Sequence, residues 1–509
     1  MADYGLNGEF KKVFDFLSAV NQTAYKNVYL LSNEVLSKNP FSNNFLKRFL
    51  KRENPELPNS LKVFSRLLFY YLKSFVYFGI YLSFFAVFYI SRLKYAVNPH
   101  LRELVLIDTF FLIDRIEDSG NYEDTYFVGL KEILEKLGKH YAYLPVFYIT
   151  KNPARLFKTF RFLKKNRIPV LTEYQLLSAG DLFRLFYFIL KYPIDVLIFA
   201  RSIREDTYEA KLLKAEIIDN LRFTTFLKFS RYLQGKKIAS LVCEKIKLIS
   251  WFENQTIDKN LYKGIREGEN KIKIYGAQPF IFSKSILNIL ADENEAKFGV
   301  VPDRMVVSGS YFIPEHSTLD FVVGPSFRYR KIFTTVFEVK DRDNLLVLLP
   351  YFIEDAKNIL NLLSKTGISA QNIMVKAHPA TPVKKFKNIL PLNVKVATDD
   401  IYELFKTTKM VIGAASGTLV EAASLGIPVI YVKSIHRFDY NPLPIYGKGI
   451  IWDEVTSTAE LEKLLAKFGN ALDNINESDK IKKIAYEYKN MFFCKPTYEN
   501  IIKTYELDH

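Results

Sequence analysis

Residues 410 to 421, MVIGAASGTLVE, combine the groups that can hold a phosphate. An apolar run ends at Gly413, and Ser416, Gly417 and Thr418 then open a helical pattern whose unpaired N–H groups and positive dipole end attract an anion. Gly417 lets the backbone approach a ligand, and the hydroxyls of Ser416 and Thr418 add donors. The competing reading is a capping box, Thr418 with Glu421. Glu421 is otherwise placed to accept ribose hydroxyls. A second constellation, NIMVKAHPA (372–380), sets Lys376, His378 and Pro379 at the end of another apolar run. A buried strand rarely ends this way without using its polar groups, although a histidine bonded only to backbone would look the same.

Arg328 and Arg330 in GPSFRYR fall in an expected connector, where a guanidinium can fork onto a phosphate or a sugar carboxylate. Solvated connector arginines are the alternative. Glu253 in SWFENQ is the first candidate for a base, because it follows an apolar run and burial beside Trp251 and Phe252 would raise its pKa. Asp108, after ELVLI, is the second. Either could instead bond a helix N-terminus. The DRD at 341–343 lies on the wrong side of its apolar run for a donor phosphate, so neither a metal nor an organic cofactor is implied.

These residues need strands to deliver them to one edge. From residue 103, short apolar runs alternate with helical patterns: ELVLID (103–108), YLPVFYI (143–149), IPVL (168–171), IDVLIFA (194–200), KIKLISW (245–251), KIKIYG (271–276) and RMVVSG (304–309). NVYLL (27–31) is a further early strand candidate. The alternation restarts after FVVGPSFRYR (321–330) with NLLVLLP, NIMVKAHP, NVKVAT, KMVIGA and IPVIYV. It predicts parallel sheets covered by helices on both faces. The expected division is an N-terminal region 1–102, a Rossmann-like domain 103–315, a second 316–480, and basic helices 481–509 that cross back to the first domain. Ligands of such sheets bind at the carboxyl ends of the strands, where the motifs lie.

The chain has 509 residues, too many for one core, and its 71 Lys plus Arg against 55 Asp plus Glu suit an anionic partner. The charge is dispersed and no nucleic-acid recognition module is present, so nucleic acid is not expected as a partner. The 2 cysteines fit neither a zinc site nor a disulfide framework, and the first residues do not read as a cleaved signal. Residues 74–91, SFVYFGIYLSFFAVFYIS, carry no charge and are flanked by Lys62, Arg66, Lys73, Arg92 and Lys94. At about 27 Å the segment is marginal for a span, and its aromatic rings and basic flanks suit an interfacial helix over residues 60–95. A helix buried between domains is the alternative.

VKAHP followed by VIGAASGTLVEAASLGIPVIYV resembles the His-Pro and Ser/Thr motifs of GT-B glycosyltransferases, nearest to bacterial sialyl- and Kdo-transferases and to capsule or teichoic-acid polymer enzymes. Residues 249–280 are similar to the acceptor-domain segment of surface-carbohydrate enzymes. The resemblance implies a GT-B fold: an acceptor domain, then a donor domain binding a nucleotide sugar, with CMP as one candidate carrier. It implies donor contacts from Lys376, His378, Pro379, Gly413, Ser416, Gly417, Thr418 and Glu421, assisted by Arg328 and Arg330. The expected activity is metal-independent transfer, for example of a Kdo- or sialic-acid-like sugar, to a lipopolysaccharide, capsule or lipid-linked acceptor. The expected location is the cytoplasmic face of a bacterial membrane, on its anionic lipid. A sugar-nucleotide 2-epimerase or hydrolase, or a CDP-dependent polyol-phosphate polymer transferase, stands as the alternative.

Overall fold

The computed structural model of the protein describes residues 4–95, 101–114, 116, 122–148, 151–268, 272–335, 342–368, 372–390, 394–435 and 439–508. Ile149, residues 269–271, Asp341 and Asn393 of the patterns above lie outside them.

Two parallel six-stranded sheets form the frame. The first comprises β1 (Glu103–Leu112), β2 (Tyr141–Tyr148), β3 (Lys245–Trp251), β4 (Ile272–Ala277), β5 (Arg304–Val307) and β6 (Phe321–Val323), in the order β2-β1-β3-β4-β5-β6. The second comprises β7 (Asn344–Leu349), β8 (Ile373–Ala377), β9 (Lys395–Val396), β10 (Thr408–Gly413), β11 (Val429–Val432) and β12 (Trp452–Val455), in the order β12-β11-β10-β7-β8-β9. Central strands are buried along nearly their whole length, as sheets covered on both faces require. The domains are therefore doubly wound and Rossmann-like. The first chain excursion goes one way and the next reverses, so switch points fall between β1 and β3 and between β7 and β10.

Several expectations need correction. IDVLIFA is the second half of the helix Ala179–Ser202, which runs through Pro193, and NVYLL is the 3₁₀ turn Val28–Ser32. IPVL supplies only a bridge, Val170 to Tyr143. The first sheet includes β6, so the first domain runs past the expected boundary at 315. Between β2 and β3 stands a helical insertion: Pro153–Lys165, Glu173–Leu176, Ala179–Ser202, Tyr208–Asp219 and Phe226–Ile238.

The helix Ser60–Ser91 has 32 residues and is long and apolar enough to cross a membrane. One face, with Tyr70, Ser74, Phe78, Tyr81, Phe85 and Phe88, is buried in the first domain. The opposite face leaves Leu61, Phe64, Leu68, Phe69, Leu72 and Val76 exposed. At the far end of the chain, Tyr498–Tyr505 lies on the first domain. Glu506 there meets Lys273 at 2.7 Å and Arg304 at 2.9 Å. The helix before it, Ile475–Phe492, packs on the second domain.

Candidate active site

The two switch points face each other, and Arg328 stands between them. Glu253 follows β3 at the first switch point. Its Oε1 accepts the indole N–H of Trp251 at 2.8 Å and its Oε2 accepts an amide N–H of Gln255. Burial pushes its pKa up, while those two bonds and the charge of Arg328 pull it back. The loop is held from behind: Asn288 donates to the Glu253 carbonyl at 2.8 Å, and Asn254 donates to Glu295 at 2.9 Å. Glu295 in turn belongs to a buried cluster with Lys38 (3.2 Å) and Lys259 (2.9 Å). These supporting residues were not legible in the sequence, because Lys38, Asn254 and Glu295 meet only in the fold.

Asp108 is different. It is fully buried within β1, accepting Arg231 at 2.6 Å and the Ser250 hydroxyl at 2.8 Å. Both its oxygens are engaged inside the sheet, which gives Asp108 a positioning role under β3; Glu253, whose oxygens are held by Trp251 and Gln255, lies beyond the strand end, next to the Trp251 that lines the cleft.

In the second domain His378 follows β8. Its Nδ1 accepts the Ala380 N–H at 3.1 Å, which puts the proton of the neutral ring on Nε2, and its ring meets Tyr351 edge-on at 5.6 Å. Burial and then Arg328 push its pKa below the ordinary value. His378 thus offers a neutral N–H donor. Lys376 points elsewhere, donating to the carbonyl of Asp399 at 2.7 Å, and Pro379 is exposed. The Ser416 corner follows β10, with β7 alone between it and β8, so the two corners stand roughly 10 Å apart.

At that corner no capping box forms: Gly417 is the N-cap of the helix Thr418–Ser424, without a side-chain cap, and Ser416 Oγ accepts the Thr418 N–H at 3.3 Å. Glu421 instead accepts the Tyr402 hydroxyl at 2.6 Å. Burial raises its pKa, opposed by Tyr402 and Arg328. A Cβ on Gly413 would stand 2.9 Å from Leu419 Cδ2 and 3.2 Å from the Leu348 carbonyl, so a side chain there would have to displace Leu419. A Cβ on Gly417 would stand 2.5 Å from the Ile281 carbonyl of the first domain, so this glycine serves a close approach of the two domains.

Arg328 is open to solvent yet walled in by the cleft, over the Tyr126 ring at 5.9 Å. Its charge acts on Glu253, Glu421 and His378 together. Tyr126, Trp251, Gln278, Ser308 and Tyr329 line the cleft beside it. Arg330 turns outward against Gly129. A cation held between a carboxylate on one sheet and a hydroxyl-rich corner on the other can neutralise a phosphate while the carboxylate takes a proton.

Two doubly wound domains whose strand ends face a common cleft, with a C-terminal helix returning to the first, make the GT-B architecture. No protein-family model matches the chain, and neither does any curated protein. Among solved structures it is similar to S. aureus MnaA with UDP, at 12% identity over 80% of this chain and 97% of that one, TM-score 0.44. It is also similar to Acinetobacter baumannii MurG, at 11% identity over 80% and 99%, TM-score 0.38. The wall teichoic acid polymerase TagF, with CDPG, aligns at 11% identity over 88% and 97%, TM-score 0.37.

Proposed function

We propose that the protein is a glycosyltransferase that moves a sugar from a nucleotide-sugar donor in the second domain to a surface-glycan or lipid-linked acceptor in the first. The observation that carries this reading is the meeting of the two sheet edges: Gly417, at the Ser416 corner, packs on the Ile281 backbone of the first domain, and Arg328 lines the adjoining cleft with Tyr126, Trp251 and Tyr329. The donor phosphate lies between the Ser416–Thr418 corner and His378 Nε2. As the bond from the acceptor oxygen to the sugar carbon forms, the bond from that carbon to the donor oxygen breaks, and the electron pair leaves on the phosphate. Arg328 stabilises that developing charge and Glu253 takes the proton of the acceptor hydroxyl. The neutralising group in this scheme is a guanidinium, which is why the reading is metal-independent.

The protein works at an anionic membrane face on the cytoplasmic side, held by the exposed stripe of Ser60–Ser91. A helix with one face in the protein core is not surrounded by lipid, which favours lying in the interface over spanning. The epimerase reading has no use for that stripe.

A calorimetric panel of CMP, CDP, UDP and GDP tests the donor assignment. One nucleotide should bind, and His378→Ala with Ser416→Ala and Thr418→Ala should weaken it by about 1 to 3 kcal/mol. Unchanged affinity in the folded triple variant sinks the assignment.

A further inference from the structure

A cleft of about 720 Å³ separates the start of the helix Ser60–Ser91 from the second domain. Its floor reaches the reaction centre: Ala380 and Thr381 line it, directly after His378 and Pro379, as does Tyr351, which contacts the His378 ring.

The charges on its wall do not cancel. Arg48 pairs with Glu216 at 3.1 Å and Arg66 with Asp219, while Glu354, the remaining acid, is paired with Lys357 at 3.0 Å. Lys47, Lys385 and Arg222 are left over as exposed cations. Neither lysine has an ion-pair partner among the described residues.

The helix that forms one lip is divided lengthwise. Leu61, Phe64, Leu68, Leu72 and Val76, spaced by three and four, form an exposed apolar stripe. At 100° per residue, Lys62, Arg66 and Lys73 fall on the next strip round, and Arg66 lines the cleft. Passing around the helix, one meets an apolar surface, then cations, then a basic cavity lined by Ala380 and by the Tyr351 that contacts the His378 ring. That sequence of surfaces fits one kind of molecule: an apolar chain with an anionic head and a polar group beyond it.

We propose that this cleft is the acceptor site, and that it takes the phosphate or diphosphate of a lipid-linked acceptor whose chain lies along the Leu61–Val76 stripe. The inference rests on the transferase reading and adds to it the acceptor's class and the place of its head. Lys47 and Lys385 grip the head from opposite domains, so acceptor binding also draws the domains together.

The test uses the full chain and prenyl phosphates below their aggregation range, titrated calorimetrically. Farnesyl phosphate should bind, the double variant Lys47→Glu/Lys385→Glu should bind it at least tenfold more weakly, and farnesol should bind at least tenfold more weakly than farnesyl phosphate. Affinity should rise from isopentenyl to farnesyl phosphate in the wild type but not in Leu68→Glu/Leu72→Glu. Nucleotide affinity should be the same in the charge-reversed and wild-type proteins. Farnesyl phosphate affinity within twofold of wild type in the charge-reversed variant overturns the proposal. So does an equal loss of that variant's binding to phosphatidylglycerol vesicles, because the lysines would then be reading bilayer headgroups. A protein that binds farnesyl phosphate as described but no nucleotide removes the transferase reading and, with it, the acceptor role.

Discussion

Burial acts in opposite senses on Glu253 and His378, raising the pKa of the carboxyl and lowering that of the imidazole, so both are pushed toward their neutral forms. Arg328 opposes the first shift and adds to the second. Glu253→Gln keeps the shape and the bond from Trp251 but removes the base. Turnover should fall by about 10²-fold or more while calorimetric nucleotide affinity stays put. An unchanged turnover would remove Glu253 from the chemistry. For His378 the sign runs through the ligand. The free group titrates below its ordinary 6.5, and a phosphate beside Nε2 raises that value. Binding therefore takes up protons, and nucleotide affinity should increase as pH falls through the interval between the free and bound pKa values, and be flat above it. His378→Gln should abolish that rise; a rise that survives in the variant assigns it to another group. The sequence placed these residues after strands, but it could not supply Arg328 as their common neighbour, because that depends on how the domains meet. Nor could it show Lys376 turning to the Asp399 carbonyl, since charge and spacing alone do not fix a side chain's direction.

At the scale of elements, the strands were legible where apolar runs were short and bounded by Gly or polar turns, as for ELVLID and KMVIGA. IDVLIFA failed because a short apolar run has no period of its own, and Pro193 reads as a break although the helix Ala179–Ser202 continues through it. The misreading hid a second exposed stripe. Phe183, Phe186, Tyr187, Leu190, Ile194 and Ile198 fall at helical spacing and are exposed, and Phe186 stacks on Phe75 of Ser60–Ser91 at 5.8 Å. The two helices thus present one apolar surface. Ile194→Glu with Ile198→Glu should lower sedimentation with anionic vesicles and leave thermal stability nearly unchanged, because both side chains already face solvent. Vesicle binding equal to wild type would exclude this helix from the surface. The Lys38 cluster shows the opposite case, with its charges wholly inside. Burial alone would raise the Asp292 pKa, yet Lys38 at 3.1 Å and the Ser18 hydroxyl at 2.6 Å hold it down at about 2. A depressed carboxyl pKa stabilises the fold above the unfolded value and loses that contribution as pH falls from about 4 toward 2. Lys38→Met leaves Asp292 and Glu295 undercompensated and should cost about 3 to 5 kcal/mol in chemical denaturation.

On the scale of the whole molecule, two chain crossings join the domains side by side. The Ser326 N–H donates to the Cys494 carbonyl at 2.9 Å, and the Cys494 N–H donates to Ser326 Oγ at 3.0 Å. A pair of bonded crossings can bend together as a hinge; beside it Gly417 meets the Ile281 backbone, and farther off Phe41 of the N-terminal region stacks on Phe352 of the second domain at 5.8 Å. Tyr329, from the connector, fixes the Gly417 contact by accepting the Ile281 N–H at 2.7 Å. Gly417 has φ of −59°, so alanine fits its backbone without strain, and the only new feature is a Cβ 2.5 Å from the Ile281 carbonyl. Neither partner yields cheaply, since one is anchored by Tyr329 and the other opens a helix. Gly417→Ala should therefore hold the domains apart. Small-angle scattering should report a larger radius of gyration than wild type, and turnover should drop at least tenfold because Glu253 and Arg328 no longer meet the donor at bonding distance. Nucleotide affinity should survive in part, because His378 and the Ser416 corner belong to one sheet edge and move together. Tyr329→Phe removes the anchor without adding an atom, so its scattering curve should stay near wild type while turnover falls less. Equal scattering and equal turnover in Gly417→Ala and wild type would show that the contact does not set the closure.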